Sequence, residues 1–197
     1  MSIGQNLKSK IQNPMMWTEI DAQISQATQE KFQTQQRRGV SGGCINQGYC
    51  LTDGIRTYFV KLNQASQVSM FEAEALGVQQ MYDTSTIRVP KPVCYGVAGN
   101  SCYIVLEWLE MGRGNSKSFE EMGRKLAQMH QKSLSKSFGW EMNNTIGSTP
   151  QINTWTDDWV EFWIQHRLEY QFQLGKRRGG SFPQADELLS AIPELLA

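Results

Sequence analysis

The sequence predicts an α+β fold, a β-rich N-terminal half with one helix set into it and then a helical remainder. Three observations carry this. Apolar runs flank an Asp-Gly pair between residues 40 and 63, and a second pair of runs flanks Gly-Asn further on. A helical stripe separates the two. Beyond residue 118 the spacing of apolar residues turns helical and stays so. That segregated order differs from alternating βαβ and excludes a Rossmann sheet.

The elements follow in order. Trp17, Ile20, Ile24 and Phe32 recur at helical spacing, Thr18 and Asp21 have the spacing of a capping box, and Arg37-Arg38-Gly39 reads as the break that ends this helix. Residues 40–63 form a hairpin around Asp53-Gly54, since both residues tolerate the positive φ of a type I′ turn. Its second run closes on Tyr58-Phe59-Val60-Lys61. A helix then takes over, with Ser69 and Glu72 as a capping box and Val68, Phe71, Ala75, Val78 and Tyr82 along one face. Pro90 and Pro92 force an extended entry into a hairpin, VCYGVA and SCYIVLEWL, joined by Gly99-Asn100.

Met111 to Ser118 is a Gly/Ser-rich hinge without periodicity. After it, Ser118 and Glu121 read as a cap, and Phe119, Met122, Leu126 and Met129 as an apolar stripe. Phe138 to Thr154 reads as a loop. A further helix runs from about Thr156, carries Trp155, Trp159, Phe162, His166 and Tyr170, and ends at Gly175. A short helix, ADELLSAI, closes at Pro193. The expected division is residues 1–110, a linker at 111–118, and residues 119–197.

Composition narrows the function. The chain has 197 residues, with 19 Lys+Arg against 19 Asp+Glu and a formal net charge of +0. No global field would gather nucleic acid or an acidic membrane, so phosphate recognition has to be local. No run nears the roughly 18 apolar residues of a membrane span, and the polar N-terminus lacks a secretory signal. The expected compartment is the cytoplasm, where Cys44, Cys50, Cys94 and Cys102 stay reduced. These cysteines form no CxxC pair, and His130 and His166 are the only imidazoles, so no metal site is expected.

Four features of the first half bear on chemistry. Ser41-Gly42-Gly43 precedes a strand, where a glycine turn lets backbone N–H groups approach phosphate oxygens, although an ordinary tight turn reads the same way. Lys61 at a strand end could place its ammonium near phosphates or simply sit solvated on an edge. Glu72 or Glu74 on the following helix could orient it, or face solvent. The segment Leu106-Glu107-Trp108-Leu109 ends the last strand, where backbone groups could bind a flat heterocycle or merely terminate a buried strand. In this order they follow the nucleotide-binding lobe of protein-kinase-like enzymes: glycine loop, strand lysine, helix glutamate, hinge strand.

The second half makes the match specific. Phe138 to Gln171, FGWEMNNTIGSTPQINTWTDDWVEFWIQHRLEYQ, resembles the signature of the fructosamine kinase (ketosamine-3-kinase) family in its Phe-Gly, Asn…Ile-Gly, Pro-Gln-x-Asn-x-Trp, Asp-Trp and Arg-Leu punctuation. GGCIN, YFVKLN, MFEAEAL, RVPKP and VLEWLEM extend the resemblance back to about Trp17. It implies a two-lobe, protein-kinase-like fold, with a nucleotide-binding lobe over 1–110 and a partial helical substrate lobe over 119–197. It also implies transfer of the ATP γ-phosphate to the 3-hydroxyl of a sugar joined to an amine by glycation, on proteins or small fructosamines. Gly42, Gly43 and Cys44 would cover the phosphates. Lys61 would contact them with Glu74 as its partner and Glu72 as second choice. Glu107, Trp108 and Leu109 would be the hinge, with the Glu107 C=O and Leu109 N–H reading adenine. The family's cysteine at the loop position links Cys44 to redox control through a disulfide-joined homodimer, against the plainer reading of a small loop-supporting residue.

The resemblance assigns His130 and His166 structural places and leaves Asp157, Asp158 and Arg167 without chemical roles. Lys176-Arg177-Arg178 reads as a solvated loop or as a dock for a phosphate or acidic partner. The family's His-Gly-Asp…Asn catalytic loop and later metal-binding aspartate do not occur: His130 is followed by Gln-Lys and His166 by Arg-Leu. No catalytic or metal-ligating residue is therefore expected within the chain, which stops at Ala197 about where that loop would come. ATP and Mg²⁺ are the expected cofactors, with the metal ligands beyond it. The alternatives are an inactive relative that binds a nucleotide or partner, and a small-molecule kinase of the aminoglycoside or choline type.

Overall fold

The computed structural model describes residues 14–41 and 45–196. The chain divides into two compact units, one reaching to Ser133 and one from Leu134 onward.

The first unit is a five-stranded antiparallel sheet in the order β1-β2-β3-β5-β4. The strands are β1 (Gln36–Val40), β2 (Gln47–Thr52), β3 (Thr57–Gln64), β4 (Pro92–Ala98) and β5 (Ser101–Glu107). Alternation along the strands sends side chains to two faces, and a helix covers each. Helix α1 (Pro14–Thr28) lays Met16, Trp17, Ile20 and Ile24 on the face carrying Leu51, Val60, Leu62, Tyr103 and Val105. Helix α2 (Val68–Asp83) lays Phe71 and Ala75 on the opposite face, against Cys102, Ile104 and Leu106. Because α2 connects β3 to β4, β5 is left to slot between those strands, which makes it the most deeply buried strand.

Several boundaries differ from expectation. Helix α1 begins at Pro14, a residue suited to a first turn because it has no N–H to satisfy, so Thr18 and Asp21 lie inside it. Thr18 bonds back to the Pro14 carbonyl, and Asp21 instead receives the Thr34 N–H (2.9 Å) and hydroxyl (2.6 Å) from the returning chain. The helix ends at Thr28, with Gln29 at φ 58°. Phe32 is buried after the turn, where its N–H bonds the Ser25 hydroxyl. Arg37-Arg38-Gly39 are strand β1 and not a break.

The β2–β3 connection spans Asp53 to Arg56, longer than a two-residue turn, since Thr52 pairs with Thr57. The Asp53 carboxylate accepts the N–H groups of Ile55 and Arg56, and Gly54 takes φ 89°. Lys61 lies within β3, three residues before its end. The β4–β5 hairpin does turn on Gly99-Asn100, with Ala98 opposite Ser101 and Gly99 at φ 56°. Helix α2 has Gln67 at its N-cap without a side-chain bond, so Ser69 and Glu72 form no capping box.

Helix α3 (Ser116–Lys132) is capped by Asn115, whose Oδ1 accepts the Ser118 N–H at 3.0 Å. Ser118 is thus the third helical residue and not the cap. The stripe of Phe119, Met122 and Leu126 exists but faces outward.

The second unit opens with a hairpin where a loop was expected: β6 (Asn144–Ile146) against β7 (Thr149–Gln151), tied at its base by a Phe138–Thr156 bridge. Asp158 caps α4 (Trp159–Trp163) by accepting the Glu161 N–H at 2.7 Å. The helix continues through a π-helical stretch, Ile164–Glu169, into α5 (Tyr170–Arg177), so it starts after Trp155 and passes through Gly175. Helix α6 (Ala185–Leu196) continues through Pro193.

Candidate functional site

Lys61 and the residues around it are set by strand register. On β3 it faces Gly48 of β2 and Ile104 of β5, and Ile104 faces Tyr95 of β4. Paired residues share a face of the sheet, and this is the face that α2 covers. Its ammonium meets α2 at Glu74: Lys61 Nζ lies 2.7 Å from both carboxylate oxygens. Both side chains are about a quarter exposed, at 24% and 25%. Such a pair holds the lysine stem against the sheet while leaving part of the ammonium open to an anionic ligand. Glu72, two residues earlier, is turned elsewhere and accepts the Tyr95 hydroxyl at 3.2 Å.

The segment after β5 is anchored separately. The Glu107 carboxylate accepts from Arg88 Nη2 at 2.5 Å and from the Lys91 N–H at 3.2 Å, and the Glu107 N–H bonds the Lys91 carbonyl. The RVPKP segment is thereby fastened alongside Glu107. Trp108 and Leu109 lie past the last ladder pair of β5. The Trp108 indole N–H donates to Glu110 at 2.8 Å, and its ring lies 6.4 Å from Phe59.

Gly42, Gly43 and Cys44 lie outside the described residues. Just beyond them Gly48, paired with Lys61, has the Phe59 ring over it: an added Cβ would come within 3.1 Å of that ring and 3.0 Å of the Val40 carbonyl. A side chain there would force the Phe59 ring to shift.

Three other cysteines are described, all as free thiols. Burial pushes the Cys94 thiol up to about 12 and also raises that of Cys102. Both stay protonated at neutral pH and are poor nucleophiles.

The punctuation of the second half turns out to be architectural. Asn153 is buried, donates to the Met142 carbonyl (2.9 Å) and to Asn144 Oδ1 (3.0 Å), and accepts from Arg167 at 2.7 Å. Arg167 also donates to the Ile152 carbonyl at 2.6 Å and lies over the Phe162 ring. Desolvation lowers its pKa. Asp158 is a helix cap, and Asp157 accepts the Ser137 hydroxyl at 2.9 Å. Gly139 has φ 152°, and a Cβ there would lie 2.8 Å from the Trp155 Cα and 2.9 Å from the Asn153 carbonyl. Only glycine lets the two chains cross so closely. His166 sits edge-on to Phe162 in the π-helical stretch. His130 lies in the last turn of α3.

Among the described residues no group of three or more His, Cys, Asp or Glu is placed to hold a metal ion. No helix among them is long and apolar enough to cross a membrane. Residues that the sequence reading missed are Arg38 and Phe59, on the Lys61 face, and Arg88 with Lys91 beside Glu107. Recognising β1 as a strand would have placed Arg38 by alternation alone.

The family model for fructosamine kinase matches residues 16–197. A probable ketoamine kinase of Synechocystis is 54% identical over 186 residues, covering 94% of this chain and 63% of the relative. A chloroplastic protein-ribulosamine 3-kinase of Oryza sativa is 47% identical over 145 residues, covering 72% of this chain and 42% of that one. Among solved structures, a protein of Haemophilus somnus designated a fructosamine-3-kinase superposes with a TM-score of 0.84 at 26% identity, over 92% of this chain and 62% of its own. The chain thus spans less than two thirds of the length of each.

Proposed function

The chain belongs to the fructosamine kinase family, and on that premise we propose that it carries the nucleotide site of an ATP-dependent ketosamine 3-kinase. The observation that supports this most is the bidentate Lys61–Glu74 pair, which leaves about a quarter of each side chain exposed. A lysine held this way presents a fixed positive charge to phosphate oxygens without serving as a proton donor.

In this reading Lys61 binds the ATP phosphates and Glu74 orients it. Gly42, Gly43 and Cys44 cover the phosphates from the loop before β2. Glu107, Trp108 and Leu109 form the hinge, with the Glu107 carbonyl and the Leu109 N–H reading the adenine edge. The stretch after β5 has neither helix nor strand until Ser116, which supports a linker over 111–115, the first part of the 111–118 expected. Glycated proteins or small ketosamines are the proposed acceptors, in keeping with the ketoamine and ribulosamine kinase names of the relatives. Mg²⁺ would neutralise the phosphates during transfer. No described residues cluster to ligate it. Cys44 is the proposed redox position, linking two copies by a disulfide.

The test is thermal. Mg-ATP should raise the melting temperature of the chain by several degrees, since a ligand at 100 times its Kd stabilises by about 2.7 kcal/mol. Equal stabilisation by free phosphate and no added effect of ATP would reject a nucleotide site.

A further inference from the structure

The face that holds Lys61 carries a second constellation one rung along. Arg38, Cys50, Phe59 and Leu106 are paired in register across β1, β2, β3 and β5. They therefore share one face, and that face is also Lys61's, because Phe59 precedes it by two residues. Above this rung the Arg38 guanidinium stands 4.9 Å from the centre of the Trp108 ring. The Trp108 indole is fixed at its edge by the Glu110 bond and flanked by Phe59 at 6.4 Å. The Arg38–Trp108 pair bridges the sheet from β1 to the segment after β5.

We infer that Arg38 is a nucleobase-binding residue, and that its guanidinium and the Trp108 indole are the two walls of a stacking slot for a purine. The inference rests on the nucleotide reading above. Two features support it. The first is chemical: guanidinium and indole are both planar and stack on π-systems, so a flat base can replace the direct Arg–Trp contact with an Arg–base–Trp sandwich. The second is spacing. Lys61 pairs with Ile104, and Trp108 lies four residues further on, about 13 Å at the usual rise per residue. A ligand anchored by phosphates on Lys61 and by a ring at Trp108 must be longer than a sugar phosphate. An extended nucleoside di- or triphosphate spans that interval.

The experiment is calorimetric titration of ATP and of inorganic tripolyphosphate into the wild-type chain, Arg38→Ala, Arg38→Lys and Lys61→Ala, each first checked for an unchanged melting curve. Arg38→Ala should weaken ATP about tenfold or more, the scale of one lost base-stacking partner, and leave tripolyphosphate binding unchanged. Arg38→Lys should resemble Arg38→Ala, because an ammonium keeps the charge but not the plane. Wild-type ATP affinity in Arg38→Ala would overturn the inference. So would equal weakening of both ligands, or rescue by lysine, since either would make Arg38 a charge contact. If instead Lys61→Ala binds both ligands like the wild type, the nucleotide reading itself fails and the slot fails with it.

Discussion

Glu74 holds Lys61 through both carboxylate oxygens at 2.7 Å, while Glu72 on the same helix faces the Tyr95 hydroxyl. The two glutamates are chemically alike and two residues apart, so helical rotation alone separates their roles. Replacing Glu74 by alanine should release the lysine and lower ATP affinity roughly three- to tenfold, the size of a lost charge-assisted contact. Glu72→Ala should leave affinity unchanged. Titration of both variants checks this, and equal losses would show that neither carboxylate positions the lysine.

The Arg167–Asn153 node should govern the stability of the second unit. It joins the hairpin to the helix through Arg167 bonds to Asn153 Oδ1 and the Ile152 carbonyl, with Asn153 buried. Arg167→Ala or Asn153→Ala should each cost about 2–3 kcal/mol, because a charged donor or a buried amide loses its partner. The double variant should cost less than the sum by more than about 0.5 kcal/mol. Denaturant melts of the set decide; strict additivity would mean that the two do not share a network.

Asp53 predicts a specific acid sensitivity. Burial pulls its pKa upward, but the N–H groups of Arg56 and Ile55 and the Arg56 guanidinium outweigh that and leave it below the ordinary carboxylate value. A depressed folded pKa contributes stability that is complete above the unfolded value, near about 3.9, and is lost as pH falls through the folded one. The melting temperature should therefore drop below about pH 4, and Asp53→Asn should be less stable at neutral pH with a shallower acid slope. An identical acid slope in the variant would remove Asp53 from the account.

Much of this was legible in the sequence because it depends on short-range pattern. The α+β order, the β4–β5 hairpin on Gly99-Asn100, and the lysine–glutamate spacing between strand and helix are all local. What escaped depended on contacts distant in sequence. Thr18 and Asp21 have capping-box spacing, yet Asp21 is claimed by Thr34 across the turn. Strand β1 is QRRGV, too polar to read as a strand, and exists because β2 pairs with it along an edge. The hairpin at 144–151 was hidden among Asn, Gly and Pro residues because its partners are three-residue strands braced by Asn153. Asp157, Asp158 and Arg167 have a clear pattern but no assignable role in sequence. In space they brace, cap and clamp.

Cysteine reactivity should follow the thiol pKa values, which are raised at Cys94 and Cys102. With its thiol pushed up to about 12, Cys94 is almost wholly protonated at pH 8. Alkylation followed by mass spectrometry should leave Cys94 and Cys102 unlabelled in the folded chain and label both in guanidinium. Rapid labelling of Cys94 under native conditions would contradict its raised pKa. In the same material, peroxide should give a dithiothreitol-reversible dimer that Cys44→Ala lacks; a dimer persisting in that variant would exclude Cys44 as the link.

The central claim is that Lys61 anchors a nucleotide, and calorimetric titration of Mg-ATP into wild type and Lys61→Ala tests it most directly. The account predicts saturable, one-to-one binding to the wild type and a loss of at least about tenfold in the variant, the size of one charge-assisted phosphate contact. ATP binding of equal strength in the two, with the variant folded, would contradict it.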